Sequence, residues 1–143
     1  MGHVILINGC AIIWKSALID AICMSTMMAE YYALSASLRE ALPLRTLIER
    51  LSEGFGIDPR CDSAFKTTVW EDNMGALTLA NLDPGQHASR SKFYDVKAHW
   101  FRSHLSEDLT VEKIDTKLQL ADIFTKDLPP QDFKRLRKML CGW

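Results

Sequence analysis

Thr67-Thr68-Val69-Trp70-Glu71-Asp72-Asn73-Met74-Gly75-Ala76 turns from strand to helix at a carboxylate. Its first six residues are mostly β-branched, aromatic or acidic, a composition that suits a pleated, half-buried strand closing on Asp72. A short helix is expected from Asn73 to Leu82, ended by Asp83-Pro84-Gly85. Two other acids hold comparable places. Glu30 lies early in a predicted helix within Ser25-Thr26-Met27-Met28-Ala29-Glu30-Tyr31-Tyr32, and Asp122 lies one to two turns into another within Leu120-Ala121-Asp122-Ile123-Phe124-Thr125-Lys126. Acids distant in sequence that converge at element ends suit hard divalent cations. Such ions take oxygen ligands from several directions and, in pairs, clamp an in-line displacement at phosphorus.

Upstream, Val4-Ile5-Leu6-Ile7, Asn8-Gly9 and Ala11-Ile12-Ile13-Trp14-Lys15 spell a β-hairpin around the strongest two-residue turn signal. Its continuous apolar runs predict strands covered on both faces. A helix follows, capped by Ser25 or Thr26, with Leu34, Leu38, Ala41 or Leu42, Leu44, Leu47, Ile48 and Leu51 near helical spacing. Pro43 inside it predicts a kink or break near Leu42, and Gly54 and Gly56 predict its end, with Asp58-Pro59 continuing the loop.

Downstream, an amphipathic helix is expected over about Ser89 to Leu105, with Phe93, Val96, Trp100 and Phe101 inward, followed by an alternating strand at Leu109–Ile114. Thr116-Lys117-Leu118-Gln119 reads as a capping box. Pro129-Pro130 opens a last helix, with Phe133, Leu136 and Leu140 inward and Lys134, Arg135, Arg137 and Lys138 mainly outward. The order predicts an α/β layer architecture.

A chain of 143 residues suits one domain over 1–143 with a real core. Apolar content of 48% and charged content of 24% place it with folded globular proteins rather than disordered ones. A net charge of −1 gives no global sign of nucleic-acid binding, so any such function must rest on a local basic face. Cys10, Cys23, Cys61 and Cys141 form no Cys-x-x-Cys pair, which points to a reduced, intracellular protein in cytoplasm or nucleus. The apolar start lacks a basic n-region, so no signal peptide is expected. Leu6 breaks the myristoylation pattern, and nothing reaches membrane-spanning length.

Five pieces in order now carry a resemblance. They are Gly2-His3-Val4 through Ala11-Ile12-Ile13-Trp14-Lys15-Ser16, then Ala29-Glu30-Tyr31, then Glu71-Asp72-Asn73-x-x-Ala76, then Arg90-Ser91-Lys92-x-x-Asp95, then Gln119-Leu120-Ala121-Asp122-x-x-Thr125-Lys126. From about Gly2 to Leu140 the chain resembles the ribonuclease H domain of copia-type LTR retrotransposon polyproteins. The resemblance implies a ribonuclease H-like α/β fold, a five-stranded mixed sheet flanked by helices. It implies an ancestral Mg²⁺-dependent (or Mn²⁺-dependent) endonuclease that cuts the RNA strand of RNA–DNA hybrids, with two ions held by four carboxylates. Glu30, Asp72 and Asp122 match three of the four, as catalytic and metal-binding residues. Substrate choice would then rest on the 2′-OH and helical shape.

The fourth carboxylate belongs, in that family, to a strand of Asp-Ala-Asp-Trp type that precedes the hairpin and lies centrally between it and the Asp72 strand. The sequence begins at the hairpin, so the resemblance implies a fold truncated at its first strand. Asp20, the one acid before Glu30, follows the hairpin and does not match that place. Open strand edges are then expected. Either the hairpin pairs directly with the Asp72 strand, or another chain fills the gap, as in a homodimer through the exposed edge.

Structural readings compete at each position. Asp72 could be an N-cap, Glu30 a charge favoured by the helix dipole, and Asp122 a solvated-face acid. Asn73, Arg90, Lys92, Lys97 and Arg102 are candidate nucleic-acid contacts, with a solvated face as the competing account. Asp95 and His99, one turn apart, suit a helix-face hydrogen bond better than a metal, and Phe93 stands where the family usually has His. Two functions remain open: a metal-dependent ribonuclease H, with two ions if active and one or none if the incomplete carboxylate set fails to hold them, or a catalytically inactive domesticated module that binds nucleic acid or a protein.

Overall fold

In the computed structural model the chain opens with two antiparallel strands, β1 (Gly2–Ile7) and β2 (Cys10–Ser16), joined at Asn8 and Gly9. Both turn residues have positive φ, 50° and 80°, the backbone twist that a two-residue hairpin demands and that Asn and Gly tolerate best. The structure describes residues 1–56, 65–83, 86 and 96–143, and of Val96 and Lys97 the backbone alone. Asp58-Pro59, Cys61, Pro84-Gly85 and the Ser89–Asp95 part of the expected amphipathic helix, with Phe93, lie outside the described residues.

Helix α1 (Thr26–Gly54) starts at Ser25, whose Oγ accepts the backbone N–H of Met28 at 3.2 Å. Of the kink or break expected near Leu42, the break does not occur: the helix runs on through Pro43. A proline removes one helical hydrogen bond, and here burial of Leu34 and Leu38 on one side of it holds the helix in register. Past Pro43 the apolar stripe is less well covered, with Leu47 and Leu51 exposed. Strand β3 (Thr67–Glu71) leads into helix α2 (Met74–Ala80), and strand β4 (Leu109–Lys113) pairs with β3 in parallel. A helical turn α3 (Val96–His99) continues as a 3₁₀ turn over Trp100–His104. Two more 3₁₀ turns, Thr116–Leu118 and Leu120–Phe124, precede helix α4 (Pro130–Cys141).

The architecture is mixed α/β and compatible with a ribonuclease H-like fold. Among the described residues its strands form two separate sheets, the antiparallel β1–β2 pair and the parallel β3–β4 pair. Direct pairing of the hairpin with the Asp72 strand does not occur among the described residues. One core joins Tyr31, Leu34 and Leu38 of α1 to Ala76, Leu79 and Ala80 of α2, Phe101, and Leu109 and Val111 of β4.

Three further expectations are corrected. β2 is covered on one side only, leaving Ile12 and Trp14 exposed, because no described residue packs on its outer face. The capping box is not formed: Asp115 accepts the Lys117 N–H at 2.8 Å, and the Gln119 amide instead donates to the Trp70 carbonyl at 3.2 Å. In α4, Leu136 is buried but Phe133 is exposed.

Candidate active-site cleft

Each acid reaches the site through its own element. Asp72 follows the last residue of β3, and Asn73, not Asp72, is the N-cap of α2. The Asn73 Oδ1 accepts the N–H groups of Gly75 at 3.0 Å and Ala76 at 3.1 Å. The capping account of Asp72 therefore falls away, and its side chain is left free of that task. Replacing Asn73 by Ala leaves both N–H groups without this acceptor; the expected cost is about 1 kcal/mol. Thermal unfolding should show it as a drop of about 3 °C.

Asp122 sits in the 3₁₀ turn Leu120–Phe124, not in a regular α-helix, and is buried beside Lys126, whose Nζ lies 2.8 Å from its Oδ1. That turn is pressed against the start of β1. A Cβ on Gly2 would come within 2.6 Å of Thr125 Cγ2 and 2.9 Å of Phe124 Cβ, so this approach needs glycine. The Ser16 hydroxyl also donates to the Phe124 carbonyl at 2.7 Å. Glu30, half-buried, projects from the second turn of α1.

Glu30, Asp72 and Asp122 all line one cleft of about 550 Å³. Electrostatics report their proximity. Burial raises the Glu30 pKa first, the Asp72 carboxylate raises it further and Asp122 adds to it, while Lys126 and the N-terminus pull the other way. Burial alone would lower Lys126, but the hydrogen bond and charge of Asp122, with Asp72 and Glu30, carry it above the ordinary lysine value.

A fourth carboxyl lines the same cleft, and sequence reasoning passed over it. Glu71 is buried and accepts the Asn73 N–H at 2.8 Å. Burial pushes its pKa up to about 7, with the charges of Glu30 and Asp72 adding, against the Asn73 hydrogen bond and Lys113. Strand alternation puts Glu71 on the same face as Val69, which packs against the core, and that was the available signal.

The donor set is chemically right for Mg²⁺, all hard oxygens in mutual repulsion. The arrangement is not: among the described residues no three His, Cys, Asp or Glu side chains stand where they could hold one ion. The residues present therefore do not fit a resident metal as arranged.

The remaining candidates are dispersed. Arg90 and Lys92 lie outside the described residues, as does the Lys97 side chain. Arg102 is not a surface cation. It is buried, its Nε and Nη2 donate to the Leu82 carbonyl at 3.0 and 2.7 Å, and Nη2 also meets the carbonyls of Asp83 and Gln86. A guanidinium so held ties the end of α2 to the Trp100–His104 turn, and its Nε and Nη2 donors are taken by backbone carbonyls rather than offered to a phosphate. His99 shares a hydrogen bond with the Tyr31 hydroxyl at 2.9 Å, while Asp95 is outside the described residues. No helix among the described residues is long and apolar enough to cross a membrane.

The homologues of this chain are retrotransposon polyproteins. It is 29% identical over 140 residues, 97% of its length, to the retrovirus-related Pol polyprotein from transposon TNT 1-94 of Nicotiana tabacum. It is 30% identical over 137 residues, 95% of its length, to the Gag-Pol polyproteins of transposons Ty1-DR1 and Ty1-NL2 of Saccharomyces cerevisiae. The chain spans only 10% of the first polyprotein and 7% of the other two. No protein-family model matches the chain, and no solved structure does.

Proposed function

We propose that this chain is a ribonuclease H-like domain of copia-type retroelement origin, and that the isolated chain does not carry out two-metal hydrolysis. One observation carries the lineage: Glu30, Asp72 and Asp122, from three elements far apart in sequence, line a single cleft and feel one another's charge. A solvated-face acid has no reason to be buried there, and Asp122 is. The ordered motifs and the retrotransposon homologues agree with that origin.

The same geometry speaks against activity. Two-metal hydrolysis needs ions clamped on both the attacking and the leaving oxygens. Here Lys126 already neutralises Asp122, and no trio of ligands closes on an ion among the described residues. What remains is an acidic, partly apolar cleft suited to recognition. The expected result with a labelled RNA–DNA hybrid, in Mg²⁺ or Mn²⁺, is no cleavage above that of Asp72→Asn at equal concentration. Metal-dependent cleavage abolished by Asp72→Asn would overturn the inactive reading. It would establish the second reading, an active ribonuclease H, which the fourth carboxyl at Glu71 favours.

A further inference from the structure

Helices α1 and α2 meet at a thioether. Met27, half-buried in the first turn of α1 and packed on the core, rests its sulfur on Gly75 in the first turn of α2. A Cβ on Gly75 would come within 2.5 Å of Met27 Sδ and 2.8 Å of its Cγ, so this approach needs glycine. The same Cβ would lie 3.3 Å from Asn73 Oδ1, the acceptor for the N–H groups of Gly75 and Ala76. The sulfur therefore sits beside the cap of α2. Neither Met27 nor Gly75 belongs to the motifs that carry the resemblance.

The two helices so joined place two of the acids. Glu30 lies three residues after Met27 on α1, and Asp72 immediately precedes Asn73. Asn73 is held twice, its N–H donating to Glu71 and its Oδ1 capping α2. After burial, the Asp72 charge acts on Glu30 more strongly than any other, so how α1 meets α2 sets the spacing of these carboxylates.

A thioether is soft and apolar, which suits so tight a contact. Among Met27, Gly75 and Asn73 it alone reacts with peroxide. One peroxide oxygen bonds to the sulfur lone pair, the O–O bond breaks, and the other oxygen leaves as water; sulfur is oxidised and peroxide reduced. The sulfoxide carries a polar oxygen where Gly75 leaves little room, next to the Asn73 oxygen, which repels it. Met27 is only partly covered, whereas Met28 beside it is 5% exposed.

We propose that Met27 is an oxidation-sensitive pin: peroxide converts it to the sulfoxide, which parts α2 from α1 and shifts Asp72 away from Glu30. A thiol-dependent sulfoxide reductase resets it, the oxygen leaving as water while two thiols become a disulfide. The pin does not rest on the nuclease reading, because it acts on the packing of two helices whatever the cleft binds.

The test treats the full chain with hydrogen peroxide beside Met27→Leu, which keeps the volume and cannot form a sulfoxide. Peptide mass spectrometry should find Met27 oxidised in the folded wild type at doses that oxidise the exposed Met24 and Met74, with Met28 intact. The amides of Ala76 and Leu77 should then exchange about tenfold faster or more, and those of β1 and β2 should not change. The two epimer-specific sulfoxide reductases together should restore slow exchange. Treated Met27→Leu should keep it throughout. Gly75→Ala should speed oxidation of Met27, because the added Cβ pushes the sulfur off its seat. Met27 left intact once Met24 and Met74 are fully oxidised overturns the proposal. So does a loss of protection in Met27→Leu equal to that of the wild type, which would put the effect on another residue. Oxidised Met27 with unchanged exchange at Ala76 and Leu77 overturns it too, since the contact would then hold nothing in place.

Discussion

Replacing Phe101 with Ala is expected to cost about 3–5 kcal/mol, a large fraction of the stability of a domain this size. Phe101 has no exposed surface and its ring lies 5.4 Å from that of Tyr31, which is equally buried. Around them close Leu34 and Leu38 of α1, the small face of α2, and Leu109 and Val111 of β4. Truncation therefore removes the transfer free energy of the ring and leaves a void that rigid neighbours on three sides cannot fill. The loss reaches the cleft, since Tyr31 follows Glu30 directly and the Tyr31–Phe101 contact fixes how that turn of α1 sits. Urea unfolding of the wild type, Phe101→Ala and Phe101→Leu separates the contributions. Phe101→Leu should cost no more than about half as much, because it keeps most of the volume. A loss under about 1 kcal/mol for Phe101→Ala would mean that the core does not close around this ring.

What the sequence made legible was what local chemistry controls. Asn8-Gly9 fixes a two-residue turn with positive φ, so the hairpin could be read from the short apolar runs on either side. Ser25 and the glycines after Glu53 bracket α1 for similarly local reasons. The three acids could be singled out because each closes a recognisable pattern, and the fold brings them to one cleft. What escaped depends on partners distant in the chain. Pro43 does not break α1, because burial of residues preceding it outweighs one lost hydrogen bond, and local propensity has no knowledge of that burial. Gln119 fails as a capping partner because its amide is drawn to the Trp70 carbonyl, forty-nine positions away. Arg102 looked like a phosphate contact among other basic residues, and only the path of the chain near Leu82 shows why it is inside. The gap between β1 and β3 is of the same kind. Continuous apolar runs mark strands, yet which edges stay unpaired is a property of the assembled sheets.

Glu71→Gln is expected to stabilise the protein at alkaline pH and to change little in acid. The Glu71 carboxyl is buried, with a pKa pushed up to about 7 by burial, with Glu30 and Asp72 adding, while its hydrogen bond from Asn73 and the charge of Lys113 oppose the shift. The folded state thus holds this proton over a range where the unfolded chain, with its ordinary value of 4.5, has released it. A raised folded pKa contributes stability that is fully present below the unfolded value and is lost as pH rises through the folded one. The wild type should therefore weaken from about pH 4.5 to about pH 7 and level off above it, by on the order of 3 kcal/mol. Gln keeps an acceptor for the Asn73 N–H and carries no proton to lose, so its curve should lack that fall. Glu30, also raised, and Glu40, lowered by hydrogen bonds from Lys15 and His3, titrate in both proteins and drop out of the difference. Denaturant unfolding of the pair at about pH 4, 6 and 8 reads the effect directly. A difference that is constant across that range would mean Glu71 is ionised in the fold at ordinary pH. The four carboxylates would then face one another fully charged, and an unfilled cleft would be harder to sustain without a cation.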